Sequence, residues 1–163
     1  MPKPLVLGLG NELAGDDAVG VLVARRLLLE LDGVADVVES SASGFALIEI
    51  LAGYDRAVIV DAIVTGRNPP GTIREMGLAE VGRVVAPSTH QAGLPELEAV
   101  ATRLGLGFPS ETVVLAVEVV DPYTLGAGLS EPVAGALEEL IGRVRERIRV
   151  WSADAAADRA RTG

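Results

Sequence analysis

The chain has 163 residues, of which 49% are hydrophobic and only 3% aromatic, and its formal net charge is -9. That length suits one domain with a real core, built here from Val, Leu, Ile and Ala, and the acidic balance argues against a ligand with a phosphate backbone. There are no cysteines, so disulfides, iron–sulfur clusters, thiolate zinc sites and cysteine nucleophiles are excluded within the chain. The opening Met1-Pro2-Lys3-Pro4 runs straight into an apolar segment without a signal-peptide h-region. No stretch approaches the roughly 20 apolar residues of a membrane helix. These features predict a cytoplasmic protein that engages neither membrane nor nucleic acid. The basic clusters Arg25-Arg26 and Arg143 to Arg149 read as solvated helix faces.

Leu5 to Leu9 is a short apolar run ending in Gly10-Asn11, and reads as a buried strand. Val19, Leu22, Val23, Leu27 and Leu31 recur at helical spacing and predict a helix from about Asp17 to Leu31, closed by Gly33. Val34 to Glu39 is a second strand, and Gly44 to Leu51 a short helix after a polar loop. Arg56 to Ala62, RAVIVDA, is a β-branched strand ending in an acid. Asn68-Pro69-Pro70-Gly71 marks a turn, and Thr72 to Met76 a strand at a sheet edge. Ala86 to Gly93 reads as a loop, and Leu94, Leu97, Ala101 and Leu104 mark the next helix. Thr112 to Val119 is another buried strand, followed by a loop over Asp121 to Gly128. Ser130 fits an N-cap with Pro132 in the first turn. Val133, Leu137, Leu140, Ile141, Val144 and Ile148 then form an amphipathic stripe. Residues 1–150 are expected to form one α/β domain, and residues 151–163, without periodicity, a flexible tail. Strands alternating with helices imply an α/β sandwich with a mainly parallel sheet.

In such sheets, sites gather beyond the carboxyl ends of the strands. Asp16 and Asp17 follow the first strand, Asp61 ends the third, and His90, the only histidine, lies in a polar loop. Two carboxylates and one imidazole make a partial coordination sphere for a borderline metal such as nickel or zinc, with positions left open. Each residue has a plainer reading. An Asp at a helix start is commonly a cap, and on spacing alone the cap is the preferred reading. A lone His is usually not a ligand. Asp61 is different, because a carboxylate among apolar neighbours is costly unless it is paired, hydrogen-bonded or metal-bound. Gly8-Leu9-Gly10-Asn11 fails the G-x-G-x-x-G test, and Ser41-Ala42-Ser43-Gly44 is not a nucleophile elbow.

Five blocks occur in order over roughly residues 5 to 148. They are Gly8-Leu9-Gly10-Asn11-Glu12-Leu13 with Asp16-Asp17-Ala18-Val19-Gly20, Val58-Ile59-Val60-Asp61-Ala62, Pro70-Gly71-Thr72-Ile73, Ser88-Thr89-His90-Gln91-Ala92-Gly93-Leu94 and Gly126-Ala127-Gly128-Leu129-Ser130. Together they resemble the hydrogenase maturation proteases. The resemblance implies a three-layer α/β/α sandwich and an aspartic-type, metal-directed endopeptidase of the cytoplasm. Such an enzyme removes the C-terminal peptide of a nickel-loaded hydrogenase large-subunit precursor. It further implies that Asp17, Asp61 and His90 touch nickel that belongs to the precursor and is not held permanently; the enzyme is expected to be a monomer. Asp17 stands where the family often has Glu. The family's Asp-Gly-Gly-Thr after the second strand is replaced here by Glu39-Ser40-Ser41-Ala42, which keeps the acid and loses the glycines. Asp16, Glu39 and Asp61 are the candidate catalytic carboxylates. Two other readings stay open: a peptidyl-tRNA hydrolase-like enzyme, which shares the Gly-Leu-Gly-Asn opening, and a non-catalytic metal- or partner-binding domain of this fold.

Overall fold

A computed structural model describes residues 3–81 and 93–162. Five strands form one sheet among these residues: β1 (Leu5–Leu9), β2 (Asp36–Ser40), β3 (Arg56–Ile63), β4 (Ile73–Gly77) and β5 (Glu111–Glu118), in the order β2-β1-β3-β5-β4. All neighbours pair in parallel except β4, which runs antiparallel along β5 at one edge. The helices are α1 (Val19–Leu27), α2 (Ala46–Leu51), α3 (Leu78–Val81), α4 (Leu94–Arg103) and α5 (Glu131–Thr162). The expected α/β/α sandwich with a mainly parallel sheet is therefore the observed architecture. The loop expected over Ala86 to Gly93 lies almost wholly outside the described residues.

The central strands are covered on both faces, which is why they read as continuous apolar runs instead of alternating ones. On one face Val6, Val58, Val60, Leu115 and Val117 pack with Val19, Val23 and Leu27 of α1 and Leu140, Ile141, Val144 and Ile148 of α5. On the other, Leu5, Leu7, Ile59, Val114 and Ala116 pack with Leu47 and Leu51 of α2, Val81 of α3, and Leu94, Leu97 and Ala101 of α4.

Two glycines set how closely α1 meets the sheet. A Cβ on Gly8 would stand 2.2 Å from the Gly20 carbonyl oxygen. One on Gly20 would stand 2.3 Å from the Val60 oxygen and 2.4 Å from the Leu9 oxygen. All three distances are far inside van der Waals contact, so the backbones touch directly. This docking holds the start of α1, and the 3-10 turn Gly15–Ala18 before it, over the end of β1.

The predicted helix over 17–31 thus divides into a 3-10 turn and α1, which ends at Leu27 and gives way to turns that reach Gly33. The short helix α3 carries no periodicity long enough to read and is missing from the sequence reading. The largest correction concerns residues 151–163. No helix was expected there, yet α5 continues through Thr162. Trp151 is 3% exposed, and its indole N–H donates to Glu111 Oε1 at 2.9 Å. The Arg56 guanidinium lies 5.8 Å from its ring centroid and donates to the Trp151 carbonyl oxygen at 3.2 Å. Trp151→Ala should therefore lower stability by about 3–5 kcal/mol, the usual cost of deleting a buried aromatic. Urea unfolding checks this; an unchanged midpoint would show that the extension contributes nothing to the core.

Candidate functional site

The chain leaves β1 through α1 to reach β2 on one side, and later strands are added on the other. The carboxyl ends of β1 and β3 therefore flank a topological switch point, the place where open α/β sheets form a crevice. Asp17 and Asp61 both lie there. Asp17 sits in the 3-10 turn after β1, 9% exposed, and its Oδ2 accepts the Asn11 amide at 2.8 Å. That turn packs against β3. Gly10, at φ 145°, makes the approach possible, since a Cβ there would stand 1.9 Å from the Asp17 carbonyl oxygen.

Asp61 is fully buried, and β3 continues two residues past it to Ile63. By strand alternation it shares a face with Ile59 and Ile63, the side covered by α2, α3 and α4. Its Oδ1 accepts the Ala62 amide at 2.8 Å. Two buried carboxylates thus lie toward the carboxyl ends of neighbouring strands, and carboxylate oxygens are donors that a borderline divalent metal accepts. His90, the expected third member, lies outside the described residues. Among those described, no group of three or more His, Cys, Asp or Glu forms a metal cluster.

Asp16 is used differently from its neighbour. It is 1% exposed. Its Oδ2 accepts the amides of Val120 and Asp121 at 3.1 and 3.2 Å and the Ser130 hydroxyl at 2.9 Å, while Oδ1 accepts the Ser130 amide at 2.6 Å. These bonds reach across to the loop between β5 and α5. Neither Asp16 nor Asp17 caps a helix: the residues flanking the 3-10 turn and α1 are Ala14 and Ala18, with no side-chain cap. Ser130 does precede α5 as expected, but its hydroxyl is spent on Asp16.

Glu39 lies on the opposite face of the sheet from Asp61. It pairs with Arg25 of α1, whose guanidinium donates to both Glu39 oxygens at 3.1 and 2.8 Å and to Glu12 at 2.8 Å. The two carboxylates raise the Arg25 pKa further above its already high value. The other basic residues flagged in the sequence are paired as well, Arg26 with Glu138, Arg143 with Glu139, Arg145 with Glu30, Arg147 with Glu75 and Arg149 with Glu146. A shallow groove of about 280 Å³ runs past Asn11, Glu12, Glu39, Ser40 and Ser41 beside the Asp17 turn. A larger cavity of about 420 Å³, lined by Lys3, Arg56 and Trp151, lies at the amino ends of the strands, away from the carboxylate pair.

One buried carboxylate escaped the sequence reading. Glu118, 2% exposed, ends β5 as an acid after an apolar run. It accepts the Thr65 and Gly66 amides at 2.7 and 2.9 Å and the Thr65 hydroxyl at 2.6 Å. It fastens the loop after β3. The signal that singled out Asp61 was present here too.

The family model described as hydrogenase maturation protease matches residues 21–147. The hydrogenase 2 maturation protease of Escherichia coli K12 is 31% identical over 149 residues, 87% of this chain and 90% of that protein. Among solved structures, the hydrogenase maturating endopeptidase HybD from E. coli superposes with a TM-score of 0.75 at 27% identity, covering 91% of this chain and 93% of the other. The [NiFe] hydrogenase maturation protease HybD from Thermococcus kodakarensis superposes with a TM-score of 0.71 at 21% identity, covering 90% and 99%, and shares the fold.

Proposed function

The chain belongs to the hydrogenase maturation protease family, and from that premise we propose that it removes the C-terminal peptide of a nickel-loaded hydrogenase large-subunit precursor. Nickel here is part of the substrate, read through Asp17, Asp61 and His90, and is not kept by the enzyme between turnovers. The observation that carries this reading is the pair of buried carboxylates, Asp17 and Asp61, at the carboxyl ends of neighbouring strands. Carboxylate oxygens with one imidazole suit a borderline cation and leave positions for the precursor's own ligands.

Peptide hydrolysis needs a nucleophilic water, a proton acceptor and an electrophile for the developing oxyanion. The substrate's nickel provides that electrophile when the scissile carbonyl borders it. Of the three carboxylates considered as proton acceptor, Asp61 is the one we favour. Asp16 has its oxygens taken by Val120, Asp121 and Ser130. Glu39 is held by Arg25 on the other side of the sheet. Peptidyl-tRNA hydrolysis, the runner-up on sequence, loses ground because the relatives are proteases and the Arg25-Arg26 and Arg143 to Arg149 clusters are paired with acids.

No helix of the described residues is long and apolar enough to cross a membrane. We take the enzyme to work in the cytoplasm, as a monomer, on its precursor. The test is the intact mass of the cognate precursor after incubation with the protein, with and without nickel. Loss of a discrete C-terminal peptide only from the nickel-loaded sample is the expected result. An intact nickel-loaded precursor would leave metal or partner binding without cleavage.

A further inference from the structure

Four large apolar side chains stand in solvent on two loops at the carboxyl end of the sheet. Leu13 is 65% exposed, Val120 57%, Tyr123 77% and Leu125 73%. Apolar groups exposed together on adjoining loops are the usual mark of an interaction surface. Loops that expose such groups have little of their own to hold them, yet these are fastened tightly. Ala14 and Leu125 form an isolated antiparallel bridge. The Gly126 amide donates to the Leu13 carbonyl at 2.8 Å, and the Asp16 amide to the Asp121 carbonyl at 2.8 Å. Beneath them the buried Asp16 carboxylate accepts from both ends of the β5–α5 loop, at Val120, Asp121 and Ser130. Within the loop Asp121 accepts the Tyr123 and Thr124 amides at 2.9 and 3.0 Å, and its pKa is lowered by bonds from Thr124 and Tyr123.

We propose that this apolar rim of Leu13, Val120, Tyr123 and Leu125 is the docking surface for the unprocessed large-subunit precursor, seating apolar side chains of that polypeptide next to the carboxylate pair. The inference rests on the precursor reading above. Its occupant follows from continuity: the segment Ala14–Ala18 that bridges to Leu125 is the one that carries Asp17. A polypeptide that brings its metal to Asp17 therefore meets the same segment that anchors the rim. A rim fixed before binding loses little conformational freedom on docking, so apolar contacts there convert efficiently into affinity. Asp16 is then a positioning residue that holds Asp17 and the rim in one rigid piece.

The test compares the full-length wild type with the double variant Tyr123→Ser/Leu125→Ser on the nickel-loaded precursor, following peptide release by mass. Both side chains are largely solvent-exposed, so the fold should not change. The expected result is a rise in KM of about tenfold with kcat retained, the scale for losing two apolar anchors at an interface. A double variant with the wild-type KM, on a precursor that the wild type cleaves, overturns the docking surface and leaves the protease reading standing. A wild type that self-associates in sedimentation through this rim, with the double variant monomeric and its KM unchanged, assigns the surface to a second copy and also overturns it. A wild type that leaves the nickel-loaded precursor intact overturns the protease reading, and the docking surface with it.

Discussion

Asp61→Asn is expected to lower kcat/KM on the nickel-loaded precursor by about a thousandfold, within the range for removing a general base, while the protein stays folded. The argument for retained folding is local. The Asn carbonyl oxygen has the volume and direction to keep accepting the Ala62 amide, as Asp61 Oδ1 does at 2.8 Å. What disappears is the negative charge, and with it both the affinity for a divalent cation and the capacity to take a proton. Asp17→Asn should behave in the same way, since an amide oxygen can still accept the Asn11 amide. Asp17→Glu should be the mildest change at this site, because it keeps the carboxylate and adds one methylene. His90→Ala should match Asp61→Asn. Peptide release by mass, beside a thermal melt, separates lost chemistry from lost fold. Normal cleavage by Asp61→Asn would remove Asp61 from the site.

What could be read from the sequence divides along sequence separation. The strands were legible because burial on both faces makes them continuous apolar runs, as in LVLGL and RAVIVDAI. Asp61 stood out because an acid in such a run demands a partner. The fates of Asp16 and Asp17 were not legible. Two adjacent acids before a helix both look like caps, and what parts them is the set of amides and the hydroxyl that Asp16 meets 104 to 114 residues along the chain. Glu118 carried the same signal as Asp61, but its partners lie 52 and 53 residues away. The end of α5 was misread for another reason. Beyond Trp151 none of the described residues is buried, so no apolar stripe marks the helix. Its support there is intrinsic, from alanines with high helix propensity and the Arg161–Asp158 pair one turn apart. Periodicity detects helices that bury a face, and this stretch does not.

Asp16→Ala is expected to lower stability by about 4 kcal/mol, as much as deleting the buried Trp151 ring, by the logic of removing one member of a buried hydrogen-bonded charge network. For a chain of this size that corresponds to a fall of roughly 12 °C in Tm. The carboxylate accepts three amides and a hydroxyl at a site 1% exposed. Its loss orphans those donors where water has little access. Ser130→Ala removes only the hydroxyl bond at 2.9 Å, so it should cost about 1 kcal/mol, the net worth of one hydrogen bond. Asp16→Asn separates the loop-holding role that its hydrogen bonds show from the catalytic role considered in the sequence. If Asp16 positions the loops, the amide variant should melt several degrees lower and raise KM, because its NH₂ group turns a donor toward donors, while kcat changes little. If Asp16 were the proton acceptor, kcat would fall by about a thousandfold and KM would stay near its original value. Melting curves with steady-state cleavage of the nickel-loaded precursor distinguish these outcomes, and the bonding pattern commits to the first: a carboxylate 1% exposed that accepts three amides and a hydroxyl is placed to hold the loops together.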